Sequence, residues 1–275
     1  MNTGELRDVD FQKISRFVYD MCGINLHDGK KELVKARLSK RLRSGNFASF
    51  SDYFKFVTTQ EGTDELINMI DSLSTNLTSF FREEKHFRKL QEVIPGMIPS
   101  SAQRSGRTKL RIWCAGCSTG EEPYSLAMSV KEIMNGHPVD LKITATDIST
   151  RVLRTAITGI YGGERVKKIP RELLRKYFQI GQGKWRGYYR AKQELRDVID
   201  FVRFNLMEQP SFEDMFDIVF CRNVMIYFDK QTQATLVERF YSCLRDTGWL
   251  FIGHSESLTG LVHKFKYIEP SVYRK

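Results

Sequence analysis

No apolar run in this chain approaches the roughly 20 residues that a membrane-spanning helix needs. The N-terminus, Met1-Asn2-Thr3-Gly4-Glu5, is polar and has no apolar signal-peptide core behind it. Both absences point to a cytoplasmic protein with no direct membrane insertion. Cysteine is sparse and odd in number, at Cys22, Cys114, Cys117, Cys221 and Cys243. An odd set fits a reducing compartment better than a disulfide framework. Cys114 and Cys117 form a CxxC, but no second ligand pair or neighbouring histidine completes it, so no metal is expected. The histidines, His27, His86, His137, His254 and His263, show no pairing by sequence. No Ser-His-Asp or Cys-His constellation for covalent catalysis emerges. Acidic residues are also in deficit, 33 Asp and Glu against 43 Lys and Arg, for a formal charge of +10. Such a surface favours nucleic acid, an anionic membrane or an acidic protein, and charge alone does not choose among them.

What is present suits a globular protein: 41% of the 275 residues are hydrophobic, enough for one large domain or two smaller ones. Residues 1–90 read as a small all-helical N-terminal domain. Phe11, Ile14, Val18 and Met21 or Cys22 recur at helical spacing until Gly23 interrupts them. Leu33, Val34, Leu38 and Leu42 form a second stripe. Its polar face carries Lys30, Lys31, Lys35, Arg37, Lys40, Arg41 and Arg43 against Glu32. Ser49 and Ser51 precede another helix, and 64–72 suggests one more. A loop is expected over 96–108.

Residues 91–275 alternate strands and helices. Strands are expected at 110–114, 141–146, 198–204, 216–220 and 249–253, and helices at 121–134, 149–158 and 230–244. A turn is expected at Asp246-Thr247-Gly248 and a closing hairpin partner at 267–273. This alternation predicts an α/β, doubly wound, Rossmann-like sheet. One stretch breaks it. Residues 176–197 carry Gly181, Gly183 and Gly187 among Trp185, Tyr188 and Tyr189, and read as a small antiparallel β insertion.

Three chemical signals follow. The loop Ala115-Gly116-Cys117-Ser118-Thr119-Gly120 joins the first strand of the sheet to a helix. Glycine there lets a ligand approach the backbone. The loop departs from GxGxxG and lacks the P-loop lysine, so nucleotide hydrolysis is not expected. Asp147 ends the next strand, where an acid either binds ribose hydroxyls or caps the following helix. Loop and acid together favour an adenosine-containing ligand. The run Cys221-Arg222-Asn223-Val224-Met225-Ile226-Tyr227-Phe228 has too many bulky apolar residues for an ordinary surface loop and reads as a pocket wall.

At this point several segments resemble the motifs of the CheR family of chemoreceptor methyltransferases. They are Asn76-Leu77-Thr78-Ser79-Phe80-Phe81-Arg82-Glu83, Ser118-Thr119-Gly120-Glu121-Glu122-Pro123-Tyr124-Ser125, Ala145-Thr146-Asp147-Ile148, Phe220 through Phe228, and Gly253-His254-Ser255-Glu256. They keep the family's order and span most of the chain. The resemblance implies S-adenosylmethionine as methyl donor, leaving S-adenosylhomocysteine. It implies glutamate carboxylates of a chemoreceptor's cytoplasmic region as acceptors. Beside Gly116 of the loop, it implies cofactor contacts at Asn76, Thr78, Arg82, Glu122, Asp147, Asn205, Leu206, Arg222 and Asn223. Cys114 and Cys117 fall where the family needs only small residues.

A glutamate carboxylate is ionised at neutral pH, its reference pKa being about 4.3, so no general base is required. Guided by the resemblance, Arg82 and Tyr227 are the catalytic candidates: Arg82 as an organiser, Tyr227 as a donor to one carboxylate oxygen. His254 is read as packing or orienting. Lys35, Arg37 and Arg41 of the basic helix are expected to meet the acidic receptor. Gly181, Gly183, Gly187 and Arg190 are expected to take a receptor C-terminal peptide by strand addition. The glycine spacing is similar to that of peptide-tethered CheR enzymes, although Ile180 stands where those can carry arginine. The insertion is expected to lie off the glycine loop.

Two other readings compete. An amino-methylating nucleic-acid enzyme would show a proline pair after Asn223, where Val224-Met225 stands, so no nucleic-acid partner is expected. A non-catalytic adaptor would not need Arg82, Asp147 and Tyr227 together. Nothing in the sequence suggests an obligate oligomer, and a monomer is expected.

Overall fold

The computed structural model describes residues 5–74, 76–97, 108–134 and 139–275. The chain forms two compact units. One comprises Met1–Thr75 with Tyr227–Gln233, the other Asn76–Ile226 with Ala234–Lys275.

The first unit is helical: α1 (Asp8–Cys22), α2 (Lys31–Ser44), α3 (Phe50–Val57) and α4 (Thr63–Leu73). The apolar stripes read from the sequence close on one another, burying Phe11, Ile14, Val18, Cys22, Val34, Leu38, Leu42, Tyr53 and Met69, whereas Met21 and Leu33 of the same stripes are exposed. Gly23 ends α1 at φ 72, its N–H bonded to Tyr19 O. Ser49 starts α3 by accepting a bond from the Asp52 N–H. The segment 227–233 joins this unit through Asn25 N–H to Tyr227 O at 2.8 Å and Tyr19 OH to Asp229 Oδ2 at 2.7 Å.

The second unit runs α5 (Glu84–Met97), β1 (Thr108–Ala115), α6 (Glu121–Ile133), β2 (Val139–Asp147), α7 (Thr150–Thr158), β3 (Ile160–Gly162) and α8 (Gly163–Val166). It continues through α9 (Arg171–Tyr177), β4 (Phe178–Ile180), β5 (Tyr188–Ala191), α10 (Gln193–Arg196), β6 (Ile199–Arg203) and β7 (Phe216–Cys221). It closes with α11 (Lys230–Cys243), β8 (Leu244–Ile252), β9 (Lys266–Glu269) and β10 (Val272–Arg274). Seven strands form one sheet in the order β6-β2-β1-β7-β8-β10-β9. The pairs from β6 to β8 are parallel, and β10 and β9 run antiparallel at the edge. β1 and β7 lie in the middle with both faces covered. Hence Ile112, Trp113, Cys114, Ile218, Val219 and Phe220 read as near-continuous apolar runs and are fully buried. The doubly wound sheet expected from the alternation is the one observed.

Four expectations shift. The boundary placed near residue 90 falls inside α5, because the chain divides at 75/76. The first residues of the loop expected over 96–108 are helical instead. α5 runs to Met97 through Pro95, held by buried Leu90 and Ile94, and 98–107 lie outside the described residues. The turn at 246–248 is absorbed into β8 as an irregularity, with Thr247 at φ 69 and a register shift opposite Phe216 and Ile218. The insertion is a three-stranded sheet in the order β3-β5-β4, so it also takes Ile160–Gly162, before the expected 176–197.

Candidate functional site

β1 ends at Ala115 in mid-sheet, and the chain must turn sharply to enter α6. Gly116 takes φ 82 and Gly120 φ 96, a region that costs other residues dearly. The N–H groups of Gly116 and Cys117 both donate to Thr146 O at 2.8 Å, which lashes the loop to the end of β2. A Cβ on Gly116 would lie 2.4 Å from Val224 Cγ2, so close approach of the 222–226 segment also demands glycine.

Asp147 ends β2. Its Oδ2 accepts from the Ser118 N–H at 2.8 Å and its Oδ1 from the Ser149 N–H at 2.9 Å. It thereby ties the glycine loop to the start of α7, whose cap is Ser149. The Ser118 hydroxyl donates to Asn76 O at 3.1 Å, drawing in the segment 76–83. The Phe204 N–H donates to Asp147 O at 3.1 Å, which brings in Asn205 and Leu206. Leu206 O in turn accepts from Arg239 Nη1 at 2.6 Å. Thr78 is half-buried in the 76–83 segment.

Arg222, just past β7, lies with its side chain 1% exposed. Its Nη2 donates to Arg82 O at 2.6 Å, and its Nε lies 3.1 Å from Glu122 Oε2 and 3.7 Å from Glu83 Oε2. Its Nη1 is buried without a hydrogen-bond partner. Burying a guanidinium is expensive unless it is paired and bonded, and an unmade buried bond adds to the cost. The unused donor therefore points to a ligand acceptor. Glu122 also accepts from Cys114 Sγ at 3.2 Å, and Asn223, at φ 60, donates from Nδ2 to Glu83 Oε1 at 3.3 Å. Arg82 turns its own Nη1 onto Leu77 O at 2.9 Å.

Two organising acids lay inside the quoted motifs without an assigned role. Glu83, at φ 58, collects Arg222, Asn223 and the His254 N–H, the last at 3.2 Å. Glu256 is buried and accepts from the N–H groups of Gly253, Asn223, Val224 and Ile226. Burial pushes its carboxyl pKa up, against the pull of those bonds. Each follows a polar residue of its motif, which is the only signal the sequence offers. The histidines do pair in space. His86 and His254 rings lie 4.8 Å apart, and ligand atoms of Glu83, His86 and His254 all fall within 4.8 Å of one another. The Arg222 guanidinium, 3.7 Å from Glu83, opposes a cation there. Neither His86 nitrogen is bonded, and desolvation, then Arg222, then His254, lower its pKa to about 3. Burial raises the pKa of Cys114 and Cys117, so both remain thiols packed beside the loop.

The remaining candidates fall elsewhere. Tyr227 belongs to the helical unit, with Lys30 Nζ 6.0 Å from its ring centre. On α2, Arg37 donates to Leu73 O at 2.5 Å and to Ser74 O at 3.3 Å. Arg41 binds both oxygens of Glu65, which also accepts from Tyr53 OH at 2.9 Å. These two arginines are thus internal ties of the helical unit. Lys35 lies 3.9 Å from Glu32, and Lys40 is exposed.

In the small sheet, β4 is an edge strand. A groove of about 650 Å³ is lined by Gln179, Ile180, Gly181, Trp185, Tyr188 and Arg190. Gly181 does not leave its backbone open as expected: its N–H donates to Tyr188 O at 2.8 Å, because the hairpin satisfies itself. Gly183 (φ 56) and Gly187 (φ 87) serve the turns. The glycine loop is reached not from the expected 176–197 but from β3 and α8 before it. Tyr161 OH on β3 donates to Thr119 O at 2.7 Å, and Arg165 on α8 pairs with Glu121.

Residues 76–274 match the family described as "CheR methyltransferase, SAM binding domain", and residues 9–74 match "CheR methyltransferase, all-alpha domain". A "Chemotaxis protein methyltransferase" of Borreliella burgdorferi is 41% identical over 270 residues, covering 97% of this chain and 94% of that one. The protein of the same description from Escherichia coli is 40% identical over 269 residues, covering 98% and 91%. "Chemotaxis protein methyltransferase 2" of Pseudomonas aeruginosa is 40% identical over 265 residues, covering 96% and 92%.

Proposed function

Since the chain belongs to the CheR methyltransferase family and is S-adenosylmethionine-dependent, we propose that it esterifies glutamate side chains on the cytoplasmic region of chemotaxis receptors. The observation that carries the cofactor's orientation is Arg222. Its buried, unbonded Nη1 suits the carboxylate of an amino-acid moiety, and Glu122 beside it suits the ammonium. Asp147, held at the rim of the glycine loop, suits ribose hydroxyls. Asn205 and Leu206 follow β6 and are drawn beside Asp147 by the Phe204 N–H bond to Asp147 O.

When bound, S-adenosylmethionine supplies an electrophilic methyl group. The residues of this chain align it and keep water out, which favours a reaction in which carboxylate and sulfonium charges disperse. Arg82 organises the segment that carries the Arg222 contact, rather than holding the nucleophile in a tight ion pair that would blunt it. Tyr227 remains the candidate donor to one carboxylate oxygen, and Tyr227→Phe with an unchanged kcat would remove it. The groove on the small sheet, with Arg190 and exposed Trp185 and Tyr188, suits an acidic peptide carrying an aromatic residue. Tethering there would raise the local receptor concentration to about millimolar. The reading implies a cytoplasmic, monomeric enzyme.

The decisive assay incubates the protein with radiolabelled S-adenosylmethionine and receptor cytoplasmic fragments, with and without their C-terminal peptide. Base-labile label on the fragments is the expected result, with slower transfer to the truncated ones. Label on nucleic acid instead, or cofactor binding without transfer, would overturn the reading in favour of a nucleic-acid enzyme or an adaptor. Equal rates on both fragments would remove the tether alone. Asp147→Ala should weaken S-adenosylhomocysteine binding by about 1.5–3 kcal/mol, the cost of lost charge-assisted bonds. Calorimetry giving an unaltered affinity would sink that assignment.

A further inference from the structure

We propose that Tyr161 and Arg165, at the root of the small antiparallel sheet, are positioning residues for the cofactor loop. The inference rests on the reading that residues 116–120 hold S-adenosylmethionine. Thr119 is the last residue before Gly120, whose φ of 96 sets the entry into α6. The carbonyl and the hydroxyl of Thr119 are both gripped, one from β3 and one from α8 beside it. Its carbonyl accepts from Tyr161 OH at 2.7 Å, and its hydroxyl is met by Arg165 Nη2. The same Nη2 reaches Glu121 Oε1, while the Thr119 hydroxyl donates to Glu121 Oε2 at 2.7 Å. Fixing that carbonyl fixes the plane of the 119–120 peptide, and with it the turn that presents the loop.

Glu121 is fully buried in the first turn of α6, where the helix N-terminus favours an acid but desolvation opposes it. Stability alone would be served as well by an apolar residue of that volume. Arg165, its partner, is 40% exposed and reaches in from solvent over the Tyr161 ring, 5.2 Å from the centroid. Tyr161 is also the junction of an aromatic cluster. Phe80, from the 76–83 segment, stands 5.0 Å from Tyr161 and 5.8 Å from Phe178 of β4. One element thus supports both segments that frame the cofactor cleft, the glycine loop and the 76–83 segment.

The test measures S-adenosylhomocysteine binding by calorimetry, thermal unfolding, and initial methylation rates in the full-length chain. Arg165→Ala should raise both Kd and the KM for S-adenosylmethionine by about tenfold, a typical size for a residue acting through another. At saturating cofactor, kcat should stay within about twofold, because binding rather than the chemical step is affected. Arg165→Lys should recover most of the affinity. Tyr161→Phe, which deletes one hydroxyl, should give a smaller rise in Kd and keeps the test open if Arg165→Ala fails to fold. A lower Tm with unaltered Kd and KM in both Arg165→Ala and Tyr161→Phe would overturn the proposal and leave the pair a structural tie. A wild-type protein that binds no S-adenosylhomocysteine would instead remove the premise about the loop.

Discussion

On α2, Arg41 pairs with Glu65 while still 28% exposed, and Arg37 reaches over to the carbonyls that end α4. In the sheet unit, Arg222 is closed off from water at 1%, between Glu83, Glu122 and the Arg82 carbonyl, with Nε and Nη1 making no hydrogen bond. The first arrangement is what long cationic side chains do on any helical surface: they cover apolar contacts and tie down loose carbonyls. The second would be a poor way to build stability, since a buried ion cluster is often matched or bettered by apolar packing. Its cost is understandable where a charged ligand completes it. The difference teaches that the density of basic residues along the sequence is a weaker pointer to function than the completeness of their bonding in the fold.

Replacing the arginine in each place is the most direct way to break that comparison. Arg222→Met should cost on the order of 3–5 kcal/mol of stability, because Glu83 and Glu122 lose a buried partner, and should abolish measurable S-adenosylhomocysteine binding. Arg41→Met should cost only about 1 kcal/mol, as partly exposed pairs do, and leave cofactor affinity as it was. Thermal unfolding and calorimetry on both variants decide it. Equal losses of stability with binding retained in both would erase the distinction.

Much of this was legible in the sequence. Apolar runs such as 110–114 and 216–220 are long enough to be central strands, and glycine between strand and helix has a narrow range of uses. The Phe80-Phe81-Arg82 and Arg222-Asn223 segments quoted from the sequence do meet in the fold, where Arg222 Nη2 donates to Arg82 O. What remained hidden was the bonding of individual charges. Arg37 and Arg41 look no different in sequence from Lys35 and Lys40, and only the positions of Glu65 and Leu73 in space commit them. Glu256 was hidden likewise, since its bonds go to backbone N–H groups that carry no side-chain signature. β3 escaped because three residues, Ile160–Gly162, are too few for a period-2 pattern to register.

A second prediction sharpens the comparison through pH. His86 is buried against Phe220 and Phe251, with its pKa lowered to about 3 from 6.5. The unfolded chain protonates this imidazole near pH 6.5 and the folded chain only near pH 3. Between those values the unfolded state holds more protons, so stability falls as pH falls, by up to about 1.4 kcal/mol per unit. Glu256, with its raised pKa, works in the opposite sense above pH 4.5, since the folded state then keeps the proton longer. His86→Phe should therefore flatten the acid limb of a stability-against-pH curve measured by denaturant unfolding. An unchanged limb would mean that the sheet unit's buried site does not set its acid sensitivity.

The smallest effect on stability is expected where the charges have the fewest internal ties. Reversing Arg37 and Arg41 would confound receptor binding with damage to the helical unit, because both hold α4. Lys35 has only a 3.9 Å contact with Glu32, and Lys40 is exposed. Lys35→Glu combined with Lys40→Glu should shift stability by no more than about 0.5 kcal/mol, the usual range for surface substitutions. If α2 meets the acidic methylation region of a receptor, the double variant should show a severalfold higher KM for receptor fragments. Its rate should also depend less on salt, since fewer charges remain to be screened over a Debye length of about 8 Å. KM for the methyl donor should not move, because the site proposed for it, among Asp147, Glu122 and Arg222, holds no residue of α2. Receptor kinetics identical to wild type, at low salt as well as at physiological salt, would make the basic face of α2 a solvated surface and nothing more.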